Sequence, residues 1–156
     1  MNFKVAISIF ILFFSWMLKA QDVSVCLENA HTQLEMNNCE GIELQSARSE
    51  LLRVLKAIEA SYESTSPEFL IKLKHAQEAW EASLEADLEM KFPLEDKRLN
   101  YGSVYPMCSS GYETKLVLQR IEFLKQWASG HQGGEVCSGS IIHEYCVEND
   151  CSLINQ

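Results

Sequence analysis

The chain has 156 residues and carries 22 acidic side chains against 13 basic ones, a formal net charge of −9. That length allows one ordinary domain with a modest core. The charge disfavours nucleic acid and anionic lipid as partners and favours cationic ones.

The chain begins with a single positive residue, Lys4, followed by an almost wholly apolar run from Val5 to Leu18, broken only by Ser8 and Ser15. The run is too short for the roughly 20 residues that span a bilayer. A small residue, Ala20, follows at a cleavage position before Gln21, which is the layout of a secretory signal. Lys19 departs from that layout, because a charge so close to the cut is unusual. Cleavage removes Lys4 and Lys19 and no acid, leaving 11 basic against 22 acidic residues and a net charge of −11. Val25 before Cys26 argues against a lipoprotein. The chain divides into a signal over 1–20, a helical domain over 21–129 and a cysteine-rich tail over 130–156. No stable membrane insertion is expected after cleavage. The location expected is extracytoplasmic, periplasmic or secreted.

Three segments carry helical period and helical start signals. The first opens at Thr32-Gln33-Leu34-Glu35, which fits a capping box. Leu44, Ala47, Leu51, Leu55, Ile58 and Tyr62 then recur at steps of three and four, as one apolar stripe. The second opens at Ser66-Pro67-Glu68, where serine caps and proline suits the first helical position. Its stripe is Leu70, Leu73, Gln77, Trp80, Leu84 and Leu88, and it should stop near Phe92. The third is expected to open near Ser110, with Glu113 completing another capping box. Leu118, Ile121, Leu124 and Trp127 line one face, and Gly130 ends it.

Between the second and third segments, residues 93–109 read as a long irregular connection, and such loops are usually functional or mobile. It holds adjacent cations, Lys97 and Arg98, in a mostly acidic chain. Asn100, Tyr101, Ser103 and Tyr105 follow, with Gly102 allowing a tight turn and Pro106 stiffening it. These six polar or aromatic side chains form the candidate partner-binding set. The alternative is that Tyr101 and Tyr105 pack the loop onto the helices.

No recognisable nucleophile, metal motif or acid–base pair is present, so neither catalysis nor a cofactor is expected. Cys137, His143, Cys146 and Cys151 suit zinc by residue type. Their spacing matches no common finger, and export favours disulfides.

Several strings together resemble a known family. Cys26-x5-Thr32-Gln33-x-Glu35-Met36-Asn37-x-Cys39 resembles the opening of the LprI-like lysozyme-inhibitor domains. Ala76-Gln77-x-Ala79-Trp80, Gly102-Ser103-x-Tyr105-Pro106 and Arg120 resemble its later motifs, in order and with compatible spacing. Relatives often carry Arg-Asp and a cysteine where this chain has Leu84, Glu85 and Leu88, and a cysteine and a threonine where it has Tyr112 and Val117. Two cysteine places are therefore vacant together. The resemblance implies an extracytoplasmic helical domain, in at least one case an inhibitor of host lysozyme, with neither catalysis nor a cofactor.

The fold expected is all-α: a small antiparallel bundle of about three helices, with disulfides and an irregular cysteine-rich tail. Leu51, Leu55, Ile58, Leu73, Trp80, Leu84, Ile121, Leu124 and Trp127 should form the core. The cap at Thr32 leaves residues 26–31 as a non-helical arm that can fold back and bond Cys26 to Cys39. Cys108, Cys137, Cys146 and Cys151 would make two further bonds in three alternative pairings, with Cys108 favoured to tie down the tail. The function expected is binding a protein partner, a cationic lysozyme first among them, by filling the enzyme's cleft. The alternative is a structural or interaction module of the bacterial cell envelope.

Overall fold

The computed structural model describes residues 23–149. The signal expected over residues 1–20 and Cys151 lie outside them. Six α-helices follow one another: α1 (Val23–Asn29), α2 (Gln33–Tyr62), α3 (Pro67–Lys91), α4 (Lys97–Tyr101), α5 (Tyr105–Ser129) and α6 (Glu144–Glu148). A 3₁₀ turn, Gly102–Val104, joins α4 to α5. The fold is all-α, with no strand among the described residues. Nor is any of their helices long and apolar enough to cross a membrane.

The starts of α2 and α3 follow from local chemistry. The Thr32 hydroxyl accepts from the Glu35 N–H at 3.2 Å, and the Glu35 carboxylate accepts from the Thr32 N–H at 2.8 Å. This satisfies donors that the first helical turn leaves unpaired. At α3, Pro67 occupies the first turn, but the Ser66 side chain makes no capping bond.

The expected non-helical arm over 26–31 is instead mostly helix α1. Asn29 Nδ2 donates to the Val25 carbonyl at 2.7 Å, closing that short helix on itself. The turn at Ala30–Thr32 then folds α1 back on α2. This brings the Cα atoms of Cys26 and Cys39 to 5.7 Å, where their disulfide forms.

The largest departure is the connection over 93–109, which is structured throughout. Asp96 Oδ1 accepts from the Leu99 N–H at 2.8 Å and starts α4. The third long helix begins at Tyr105 rather than near Ser110, with Pro106 in its first turn. Proline is favoured there because the N–H it lacks would have no helical partner. Ser110 and Glu113 consequently lie inside α5 and form no capping box. Glu113 instead takes Arg48 of α2 as an ion-pair partner.

Helices α2 and α5 run in the same sense and α3 runs against both. Asn37 meets Ser103 at one end, Arg48 meets Glu113 further along, Gln77 meets Arg120, and Phe92 meets Tyr105. The closest backbone packing is between α2 and α5. Ala47, Leu51, Val54, Ile58 and Tyr62 of α2 form one core with Leu73 of α3 and Val117, Ile121 and Leu124 of α5. Leu84 is also buried. Burying each large aliphatic side chain contributes roughly 1.5–3 kcal/mol. Leu55, Trp80 and Trp127 were expected in the core, but they are only partly buried at its margin.

The tail is tied down without Cys108, which is a free, exposed thiol, as is Cys137. Cys146 is disulfide-bonded. Gly130 ends α5 at φ 75°, where a Cβ would stand 2.7 Å from the Glu144 Cα. Both conditions call for glycine. His131 then pairs with the 142–144 segment: its N–H donates to the Ile142 carbonyl and its carbonyl accepts from the Glu144 N–H, each at 2.9 Å. Ile142 packs on the core. Trp127 Nε1 donates to Ser140 Oγ at 3.0 Å.

Candidate functional site

The candidate residues converge on a compact knuckle where α3 ends and α5 begins. Its base is an aromatic trio. The rings of Phe92 and Tyr101 lie 5.4 Å apart and those of Phe92 and Tyr105 5.2 Å apart, both edge-on, while Tyr101 stacks on Tyr105 at 5.8 Å. Edge-on and offset contacts of this kind add to the gain from burial. Phe92 is buried, and the two tyrosines are half-buried.

Backbone bonds then fix the knuckle's shape. The Tyr101 hydroxyl accepts from the Leu94 N–H at 3.1 Å. Lys97 Nζ donates to the Phe92 carbonyl and so satisfies the end of α3. Asn100 Nδ2 donates to the Asp96 carbonyl at 2.8 Å. Gly102 turns the chain at φ 72°. The Ser103 carbonyl accepts from Asn37 Nδ2 of α2 at 3.0 Å, which anchors the knuckle to the opposite helix.

Of the six residues named from sequence, Lys97, Asn100, Tyr101 and Tyr105 thus build the knuckle. Arg98 and Ser103 are exposed at its surface. Among the described residues the Arg98 guanidinium has no ion-pair partner. Beside it stands Leu99, 80% exposed, with Leu94 exposed nearby in sequence. Sequence reasoning passed over Leu99. The signal was Asp96, a capping residue that turns residues 97–101 into one helical turn and directs Leu99 away from the aromatic base. The knuckle therefore presents a cation and an apolar side chain on a rigid support. It carries no constellation for bond-making chemistry.

The remaining motif residues meet one another across the bundle. Arg120 Nε donates to Gln77 Oε1 at 3.1 Å, and its guanidinium lies 5.6 Å from the Trp80 ring and 5.3 Å from the Phe123 ring. Burial lowers its pKa, opposed by the Glu81 charge. Glu35, accepting from the N–H groups of His31 and Thr32 and from the Thr32 hydroxyl, is held below the usual carboxylate range. Motifs separated by up to 66 residues thus form contacts between helices: Asn37 with Ser103, and Gln77 and Trp80 with Arg120.

Comparisons with curated proteins and with solved structures return no match. The family model described as "Lysozyme inhibitor LprI" matches residues 26–124, which run from the first disulfide cysteine to the last core leucine of α5. The chain belongs to the LprI lysozyme inhibitor family.

Proposed function

We propose that this protein is an exported inhibitor of a cationic lysozyme, and that it acts by seating the α4 knuckle in the enzyme's cleft. The observation that carries the reading is the exposed Arg98–Leu99 tip on a support fixed by the Phe92–Tyr101–Tyr105 cluster and the Asn37–Ser103 bond. Lysozyme cleaves with two carboxylates flanking the scissile bond. A guanidinium donor suits such a site, and an apolar neighbour suits the sugar-binding walls of a cleft. A rigid support lowers the ordering cost that binding would otherwise incur. The acidic body favours encounter with a basic enzyme at low salt.

Membership of the inhibitor family supports a protein partner and a role without catalysis. The signal-like sequence over residues 1–20 supports export. The test is a cell-wall lysis assay with a cationic lysozyme and the purified mature domain. Lytic activity should fall in proportion to the domain added and recover as salt is raised. Full lytic activity at an excess of folded domain contradicts the proposal.

A further inference from the structure

Beside the turn that joins α2 to α3, an open groove of about 640 Å³ separates the two helices. Ala60 of α2 and Leu70 and Ile71 of α3 give it apolar walls, and Ile71 is 57% exposed. Its rim carries Lys56, Glu59 and Glu63 on the α2 side and Lys74 on α3, all exposed. Among the described residues none of these four is in an ion pair. The rim therefore balances two cations against two anions on a chain whose net charge is −9.

The charges are sorted along the groove. Glu63 caps α2 at the turn. From the helical rise, Ala60 and Glu59 lie about 4–6 Å from the turn and Lys56 about 10 Å. On α3, which starts at Pro67 and runs the other way, Ile71 lies about 6 Å from the turn and Lys74 about 10 Å. Both lysines thus stand at the far end of the groove and Glu63 at the near end. This pattern complements itself. A two-fold axis through the middle of the groove, normal to its open face, reverses depth and exchanges the α2 and α3 sides. It carries Lys74 to the α2 side beside the turn, over Glu63 of a second copy. It carries Ile71 to the level of the second copy's Ala60, a small exposed residue that leaves room for it. A two-fold contact needs this property, because the same patch must fit itself.

We infer that the protein pairs with a second copy of itself through the α2–α3 groove, with Ile71 seated at Ala60 and Lys74 against Glu63 of the other chain, each contact made twice. Pairing gives Lys74 and Glu63 the counter-ions they lack within one chain and covers the exposed Ile71. Two strongly acidic bodies repel each other over most of their surface, so a face that balances its own charge and adds apolar area is where they meet. A basic partner is a poorer occupant, because Lys56 and Lys74 oppose it. The α4 knuckle stands at the other end of α3, about 25 Å beyond Lys74. Pairing therefore leaves both Arg98–Leu99 tips exposed, and the inference does not depend on what those tips bind.

The experiment is sedimentation equilibrium of the mature protein over a concentration series. The free thiols of Cys108 and Cys137 are alkylated first, so that no disulfide joins two copies. Wild type should show a reversible monomer–dimer equilibrium. Ile71→Glu and Lys74→Glu should each weaken the dimer by at least about tenfold. Lys115→Glu makes the same charge change on an exposed residue of α5 and should weaken it by less than about threefold. Glu63→Lys/Lys74→Glu keeps the wild-type net charge and exchanges the two partners, so its dimer should return to within about threefold of wild type. These positions are all exposed, so the variants should melt with wild type. A wild type that is monomeric at every concentration up to about 1 mM overturns the inference. So do equal losses in Lys74→Glu and Lys115→Glu, or a double variant that pairs no better than Lys74→Glu alone.

Discussion

The Tyr62 hydroxyl accepts a hydrogen bond from the Ile142 N–H at 3.0 Å, joining the last residue of α2 to a segment 80 positions downstream. Tyr62 is fully buried, and its ring lies 4.5 Å from that of Phe69. This bond does the work that a Cys108 disulfide was expected to do.

Tyr62→Phe leaves the Ile142 N–H unpaired and should cost roughly 1–3 kcal/mol. Amide exchange at Ile142 and Glu144 should accelerate more than exchange in the middle of α5. Burial holds the Tyr62 pKa above the ordinary tyrosine value, with the Ile142 N–H acting in the opposite sense. A raised pKa means that the unfolded chain loses this proton first. The contribution is complete below about pH 10 and declines above it. The stability gap between wild type and Tyr62→Phe, measured by urea denaturation, should narrow as pH rises past that value.

Two helical glycines should respond in opposite ways to alanine. Gly41 in α2 faces open space, with nothing within 4 Å of an added Cβ. Gly41→Ala should stabilise by about 0.5–1 kcal/mol. Gly111→Ala gains the same propensity but pushes on the Glu40 carboxylate, so its melting temperature should rise less than that of Gly41→Ala or fall.

The cysteines should separate by reactivity. Cys26→Ser/Cys39→Ser opens a short loop and should cost roughly 2–4 kcal/mol. Cys108 and Cys137 are free and exposed. An alkylating reagent should label both in the native protein, and Cys108→Ser should leave the melting temperature unchanged. Peptide mapping that finds Cys108 oxidised to a tail cysteine would contradict this.

The order of the long helices, and their limits other than the start of α5, were legible because their signals are local. The Thr32–Glu35 box, Pro67 and Gly130 mark boundaries by their own backbone chemistry, and the steps of three and four mark the buried face. Two things were not local. Residues 93–104 lack an apolar stripe, since α4 has only five residues and its order comes from Phe92 and Asn37, outside the segment. The six cysteines gave an even number but no geometry, so the two free thiols could not be told from the bonded ones. Within the candidate set, Tyr101 and Lys97 read as contact residues because their partners are backbone atoms of Leu94 and Phe92, upstream of α4, which no side-chain pattern marks. Leu99 had no signal other than its cap.

Trp80 and Arg120 offer a test of the motif contacts. Trp80 is half-buried, so Trp80→Ala should cost less than the roughly 3–5 kcal/mol typical of a fully buried aromatic. A double-mutant cycle with Arg120→Ala should show a coupling of about 0.5–2 kcal/mol, from the guanidinium over the ring. Additive losses would mean that the guanidinium and the ring do not stabilise each other.

The proposed inhibitory contact is the Arg98–Leu99 tip. The direct measurement is the inhibition constant of Arg98→Ala/Leu99→Ala against a cationic lysozyme, beside wild type and with melting temperatures for both. Both side chains are exposed, so the variant should melt with wild type. Its inhibition should weaken by at least about tenfold, the loss of one interface anchor. A folded variant that inhibits as strongly as wild type would rule out the tip and place the contact elsewhere on the bundle.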